Sequence, residues 1–328
     1  TAEFLWQEGH TVHATEADAE RETLMILHDV YADFVEKDMA VPVFRGLKTA
    51  KEQFPGALRS YSIEAMMQDG RALQAGTSHN LGQNFAKAFD ITFTDQNNTI
   101  QYAWTTSWGV STRLIGALIM AHSDDEGLVL PPRIAPTQVV VVPIYKNDTE
   151  RSLVMEAVDK LTASWKGRLR FKVDDRDQLT PGFKFNEWEI KGIPVRVEVG
   201  PKDVEKGSVA IARRDIPGKA GKSFVPQEGL TERLEALLEE IQQALFDRAL
   251  RFREEHTFTA TNYEELKQGI EKGFVRCYWA GSREDEQRIQ DETRATIRCL
   301  PLDQPDVPGK CILTGKETTQ QAIFARAY

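Results

Sequence analysis

Leu128-Val129-Leu130-Pro131-Pro132-Arg133-Ile134-Ala135-Pro136 divides this chain in two. Clustered prolines cannot continue a helix and bias their neighbours towards extended backbone, so the stretch reads as a linker at a domain boundary. Beyond it the pattern alternates. Apolar runs predict a strand over 139–142, a helix around 150–165, a strand over 168–173 and a helix near 183–191, then strands over 195–199 and 208–213. Alternation of this kind predicts an α/β domain with a largely parallel sheet. A helix carrying Leu234, Leu237, Leu238, Ile241 and Leu245 closes it, and the remainder, from about Thr257, forms a third region.

Before the linker the rhythm differs. Glu3-Phe4-Leu5-Trp6-Gln7-Glu8-Gly9-His10 reads as a strand without a polar lead-in, so Thr1 is expected to be a cut inside a longer domain. Thr15 and Asp18 make a capping-box pattern, and Leu24, Leu27, Tyr31 and Phe34 recur at helical spacing, which predicts a helix over 16–37. A strand over 41–44 follows. Gln74-Ala75-Gly76-Thr77-Ser78-His79 then gathers polar groups at small residues. That is either a polar ligand site or an ordinary hydrogen-bonded turn. The run 99–108 is strand-like and 109–122 reads as a helix with Arg113 near its first turn, where an arginine is either solvated or set to clamp a phosphate.

Composition sets the bounds. A chain of 328 residues is long enough for two compact domains and a smaller unit, since single cores seldom grow beyond roughly 250 residues. With 41% hydrophobic and 28% charged residues it has a globular composition. No apolar run approaches the roughly 20 residues of a membrane span, and no charged-then-apolar leader opens the sequence. A cytoplasmic protein is expected. Cys277, Cys299 and Cys311 are an odd and sparse set that fits a reducing compartment rather than a disulfide framework. The net charge of -9 argues against indiscriminate nucleic-acid binding, so any RNA contact must be regional.

The string Glu3 to His10, then Gly76-Thr77-Ser78-His79, then Ser107-Trp108-Gly109 with Arg113, resembles the prolyl-tRNA synthetases of the archaeal and eukaryote-like subgroup in order and spacing. The resemblance runs on through Leu128 to Pro132, through Pro181-Gly182-Phe183-Lys184-Phe185-Asn186-Glu187-Trp188-Glu189 and to Tyr328, and so covers essentially the whole chain. It implies a multidomain protein of mixed α/β and α+β class. Part of a class II catalytic domain with an antiparallel sheet would occupy 1–133, an α/β anticodon-binding domain 134–256, and a small α/β C-terminal domain 257–328. It also implies the reaction: ATP-dependent attachment of L-proline to tRNA(Pro) through a prolyl-adenylate, releasing pyrophosphate and AMP, in a homodimer that requires magnesium. Chemistry of this kind depends on positioning and on cations rather than on acid-base pairs.

Carried over residue by residue, ATP is expected at Gln74, Thr77 and Arg113, with Arg113 and Gln74 as the catalytic groups and Gln74 beside the magnesium–nucleotide complex. Proline is expected against Trp6, Glu8, His10, Phe54 and His79, with Ser107 and Gly109 beneath. Read without the resemblance, Trp6 and Phe54 are core aromatics and His79 is a satisfied turn histidine. The anticodon is expected at Phe185, Glu189, Arg196, Lys202, Asp203 and Lys219, where carboxylate, cation and aromatic ring suit two guanines and an unstacked base. Many relatives hold a structural zinc on four cysteines. The matching positions here are Ala280, Asp285, Cys311 and Thr314, with one thiolate among them, so no zinc is expected. The first class II motif, the threonine and glutamate that meet the proline nitrogen, and the second-motif arginine are expected before Thr1. The chain by itself is therefore expected not to form adenylate. Two rivals stand beside this reading: a tRNA-binding paralogue without chemistry, against which Gln74, Thr77, His79 and Arg113 speak, and a synthetase for threonine or glycine, against which Glu8-Gly9-His10 and Thr77-Ser78-His79 speak.

Overall fold

The computed structural model describes residues 3–328; Thr1, and with it the expected cut, lies outside them. In chain order, β1 (Trp6–His13) leads into helix α1 (Glu16–Met25), and wider π turns continue the helix over Ile26–Ala32 and Phe34–Asp38. Then come β2 (Val43–Leu47), β3 (Arg59–Met66), β4 (Ala72–Gly82), α2 (Asn84–Ala88), a ribbon of β5 (Thr92–Thr94) and β6 (Ile100–Tyr102), β7 (Trp104–Ser111) and α3 (Arg113–His122). The second stretch holds β8 (Val139–Pro143), α4 (Asp148–Ala163), β9 (Phe171–Val173), α5 (Pro181–Ile190), β10 (Val195–Val199), α6 (Pro201–Glu205), β11 (Ser208–Arg213), β12 (Lys222–Pro226) and α7 (Leu230–Glu255). The last holds β13 (Thr257–Thr259), α8 (Tyr263–Ile270), β14 (Phe274–Tyr278), α9 (Arg283–Thr293), β15 (Thr296–Pro301), a ribbon of β16 (Gly309–Lys310) and β17 (Glu317–Thr318), and β18 (Gln321–Ala325).

Two compact units result. Among the described residues the first takes 3–37, 41–121 and 249–328; the second takes 38–40 and 122–248. In the first, nine strands form one sheet in the order β1-β7-β4-β3-β2-β15-β18-β14-β13, with the two ribbons apart from it. The C-terminal strands thus extend the sheet of the opening strands, through an antiparallel seam of Leu300 on Leu47 and Pro301 on Gly46. Gly46 is required there, because a Cβ would fall 2.5 Å from the Cys299 Cβ. Across the seam a buried ion cluster forms. Glu64 accepts from Lys48 Nζ at 2.7 Å and from Arg298 Nη2 at 2.9 Å and Nε at 3.0 Å, and the Ser62 hydroxyl donates to it at 2.8 Å. Burial alone would raise the Glu64 carboxyl, but the two cations outweigh it and hold it below the usual carboxylate range.

The second unit is a five-stranded sheet in the order β12-β11-β10-β8-β9. Val139 and Val141 of β8 face one apolar layer with Leu234, Leu238 and Ile241, while Val140 and Val142 face another with Ile193, Phe185 and Trp188. Burial on both faces explains the uninterrupted valines of this strand. The expected largely parallel sheet is in fact mixed: β9, β8 and β10 run parallel, whereas β10–β11 and β11–β12 are antiparallel. The cause is length, since only Gly200–Gly207 joins β10 to β11, and a parallel crossover takes a dozen residues or more. A second correction concerns 109–112, read as the start of a helix. Gly109 pairs with both Glu8 and Thr77, so β7 runs to Ser111 and the helix starts at Arg113.

Candidate functional site

The register of three strands builds the first site. Side chains alternate along a strand, so partners on adjacent strands share a face. Glu8 of β1 pairs with Gly109 of β7, which pairs with Thr77 of β4. Two residues along, His10 pairs with Ser107, which pairs with His79, and His79 pairs with Ser60 of β3. Apart from buried Ser60, these two cross-strand rows line the floor of a cavity of about 810 Å³. On the opposite face of β1, Gly9 leaves room for the Trp108 ring, which a Cβ would meet at 2.4 Å.

The cavity brings together every residue expected to touch proline or ATP: Trp6, Glu8, His10, Phe54, Gln74, Thr77, His79, Ser107, Gly109 and Arg113. Gln74 and Thr77 are an odd number of residues apart and would point to opposite faces of a regular strand. A β-bulge opposite Ile63 and Glu64, where Gly76 and then Gln74 find partners, inserts Ala75 and restores both to the cavity. Its apolar end, which sequence reading did not pick out, holds Leu81, Phe85, Phe89 and Ile91. The stacked pair Phe85 and Phe89 on one helical turn was the available signal.

Polar groups in the cavity are held in defined states. The Glu8 carboxylate lies 2.8 Å from His10 Nε2. His79 Nδ1 is 2.9 Å from the Ser60 hydroxyl and Nε2 is 3.1 Å from the Thr77 hydroxyl, while Phe54 packs on the imidazole with ring centres 5.0 Å apart. Burial pushes the His79 imidazole down to about 4, so it is neutral at physiological pH. Arg113 is exposed and forms no ion pair with any described residue; its guanidinium donates only to the Gln74 carbonyl, at 3.4 Å. Among the described residues no cluster of histidine, cysteine, aspartate or glutamate could hold a metal by itself. Gln74 offers one neutral amide oxygen, which suits a magnesium ion held mainly by phosphates and water.

The second unit carries a smaller, basic groove of about 270 Å³, lined by Glu189, Arg196, Arg213, Arg214, Lys219 and Lys222 with Trp188. Helix α5 presents its wall. Thr180 caps it by accepting from the Phe183 N–H, and Pro181 sits at the first helical position. Asp174 pins the helix through the Trp188 indole at 2.8 Å, and the Arg176 guanidinium bonded to it holds its carboxyl down to about 2. Arg196 lies over the Phe185 ring, 4.1 Å from its centre, and donates to Glu198 at 3.2 Å; Lys222 reaches the other Glu198 oxygen at 2.6 Å. Of the expected anticodon residues, Glu189, Arg196 and Lys219 share this groove. Phe185 lies beneath Arg196, and neither Lys202 nor Asp203 lines the groove: Lys202 is exposed, and Asp203 accepts from the Gly200 N–H at 2.9 Å as the cap of α6. Among the lining residues that sequence reading missed are Trp188, Arg213, Arg214 and Lys222, although consecutive arginines at a strand end were a usable signal.

The four expected zinc positions do not make a tetrahedral set. Ala280 has no donor, and Asp285 is engaged in the capping box of α9, accepting from the Ser282 N–H at 2.8 Å. Burial alone would raise the Cys311 thiol, but hydrogen bonds from the Thr314 side chain and from the backbone of Thr314, Ala280 and Leu313 bring it below its ordinary value. No helix among the described residues is long and apolar enough to cross a membrane.

Comparison with known proteins covers the chain end to end. Residues 1–122 match the class II core domain of tRNA synthetases for G, H, P, S and T, residues 138–224 an anticodon binding domain, and residues 263–328 the C-terminal domain of prolyl-tRNA synthetase. The proline–tRNA ligase of Roseiflexus castenholzii is 82% identical over 328 residues, which is all of this chain and 68% of that protein. That of Chloroflexus aurantiacus is 80% identical with the same coverage, and that of Natranaerobius thermophilus is 53% identical over 332 residues, again across all of this chain and 68% of the relative.

Proposed function

This chain belongs to the prolyl-tRNA synthetases, the class II ligases that attach proline to tRNA, and on that premise we propose that its larger cavity takes proline beside ATP while its basic groove takes the anticodon of tRNA(Pro). The observation that carries the first half is the pair of cross-strand rows, which aim Glu8, Thr77, His10 and His79 into one space. A small imino acid needs an apolar slot and few polar groups. Trp6 and Phe54 flank the pyrrolidine ring, and the Glu8 carboxylate faces the charged secondary amine. Neutral His79 adds no repulsion to that cation. Ser107 and Gly109 keep the floor low.

Adenylate formation then needs no general base, since the proline carboxylate attacks the α-phosphorus already ionised and pyrophosphate departs. Arg113, without a carboxylate partner among the described residues, is free to balance the charge that develops on the phosphate. Gln74 and Thr77 hold the nucleotide on the adjoining strand. Magnesium, when bound, neutralises the triphosphate. A hydroxyl of the terminal adenosine of tRNA next attacks the prolyl carbonyl and releases AMP. In the groove, the Glu189 carboxylate makes no hydrogen bond or ion pair with a described residue, its backbone carbonyl alone accepting from Arg214, and it faces the donors of a guanine edge, while Arg196 and Lys219 face acceptors. The reading entails a cytoplasmic homodimer that works without zinc.

Aminoacylation by the full-length enzyme across a panel of amino acids and tRNAs tests it. Charging of tRNA(Pro) with proline is expected; charging of another tRNA, or of none, overturns it.

A further inference from the structure

The loop between β2 and β3 carries Phe54 to the cavity, and it is fastened at both ends. It is a wound turn rather than a strand: Glu52 and Gln53 donate their N–H groups to the Thr49 carbonyl at 3.0 and 2.8 Å, and Ala57 donates to the Phe54 carbonyl at 3.0 Å. Its far end is held at the cavity. The Phe54 N–H donates to the Ser60 hydroxyl at 3.0 Å, the same hydroxyl that meets His79, and Asn84 donates to the Gly56 carbonyl at 2.9 Å.

The near end is held from the C-terminal segment. The Thr49 hydroxyl donates to Glu286 at 3.0 Å in a buried contact, and Lys51 Nζ donates to the Gln290 side-chain oxygen. Glu286 and Gln290 are one helical turn apart on α9 and so share a face. Glu286 is only 3% exposed. A helix that served only to pack would place an apolar side chain at such a position, as α9 does with fully buried Ile289. Instead the one hydrogen-bond partner of its carboxylate among the described residues is on the loop, and the charged groups around it, Lys51, Glu52 and Lys48, belong to the loop or its root. Burial raises the Glu286 carboxyl, a cost that the fold would avoid with leucine.

We propose that Glu286 and Gln290 are positioning residues for proline: through Thr49 and Lys51 they fix the loop that sets Phe54 against His79, and so they govern proline affinity without touching substrate. The proposal rests on the proline reading of the cavity.

Thr49→Val and Glu286→Leu remove the buried bond from either side, and Glu286→Gln keeps its acceptor. In proline-dependent pyrophosphate exchange by the full-length enzyme, the first two are expected to raise KM for proline roughly three- to tenfold, the worth of one hydrogen bond. KM for ATP and kcat should stay within about twofold of the parent, and Glu286→Gln should behave as the parent. The double variant Thr49→Val with Glu286→Leu should be no worse than either single one, because both act through one contact. Phe54→Ala separates the two claims. If it leaves KM for proline unchanged, the proline reading of the cavity falls. If it raises KM while folded Thr49→Val does not, or if the losses in KM for proline and ATP run in parallel, the positioning role falls.

Discussion

The cavity of the first unit and the groove of the second both gather polar side chains, but they fix them by different means. In the cavity the backbone ladder does most of the placing, so Glu8, Gly109 and Thr77 stand in a row because their strands are hydrogen-bonded in that register. In the groove the placing falls to side chains: Glu198 aims Arg196 and Lys222, Asp174 anchors α5, and Arg213 and Arg214 are tied to Asp215 and Asp124. A ladder-built site can lose one side chain and keep its shape. An ion-paired site loses its shape when one partner goes.

That contrast can be broken most sharply at Arg113. Its guanidinium makes one long hydrogen bond and no ion pair with a described residue, so Arg113→Ala should lower proline-dependent pyrophosphate exchange about 100- to 1000-fold while the melting temperature moves by less than about 2 °C. A large loss of stability would show that the cavity, too, depends on its side chains. In the groove, Glu198→Gln leaves two cations without their anion. KM for tRNA in aminoacylation should rise roughly tenfold, with pyrophosphate exchange, which needs no tRNA, unchanged. An equal loss in both assays would undo the division of labour.

A smaller effect concerns pH. His79 and His122 are held down to about 4 by burial and titrate near 6.5 when unfolded. Folding keeps both neutral, so the stability they supply is complete above about 6.5 and is lost as the pH falls from there towards 4. Thermal melts across that window should show the decline, and His79→Gln should make it shallower. His79 should add no step to KM for proline between pH 6.5 and 8, since it has no proton to lose there, and His79→Gln should leave the shape of that profile unchanged. The smallest effect is expected on chelation: zinc analysis should find well under one ion per chain, and EDTA should leave the melting temperature where it was, because Ala280 and Asp285 cannot complete a site.

How far the sequence could be read follows from the same contrast. The proline cluster at 131–132 and the valines of β8 announce themselves, because backbone restriction and two-sided burial are local matters. The residues of the cavity could be named in advance only by resemblance, since Trp6, Phe54 and Ser107 are remote in sequence and meet through register. The bulge at Ala75 was beyond reach, for strand parity sets Gln74 and Thr77 on opposite faces and only the pairing with β3 reverses that. The antiparallel turn of β11 was legible in principle from the short connection before it. The union of the C-terminal strands with the opening strands was not, because nothing in 296–301 specifies β2 as its neighbour.

The buried cluster at Glu64 has a consequence for synthesis. Arg298 lies 234 residues further along the chain. At roughly 5–20 residues per second, translation delivers it about 10–50 s after Glu64 has left the ribosome's active centre. Through that interval the central strand carries a carboxylate with one of its two cations missing, and sealing it away from water would be costly. The opening strands therefore have an electrostatic reason to stay wet until the end of the chain arrives, and a nascent chain stopped short of β15 should remain open to proteases along β3.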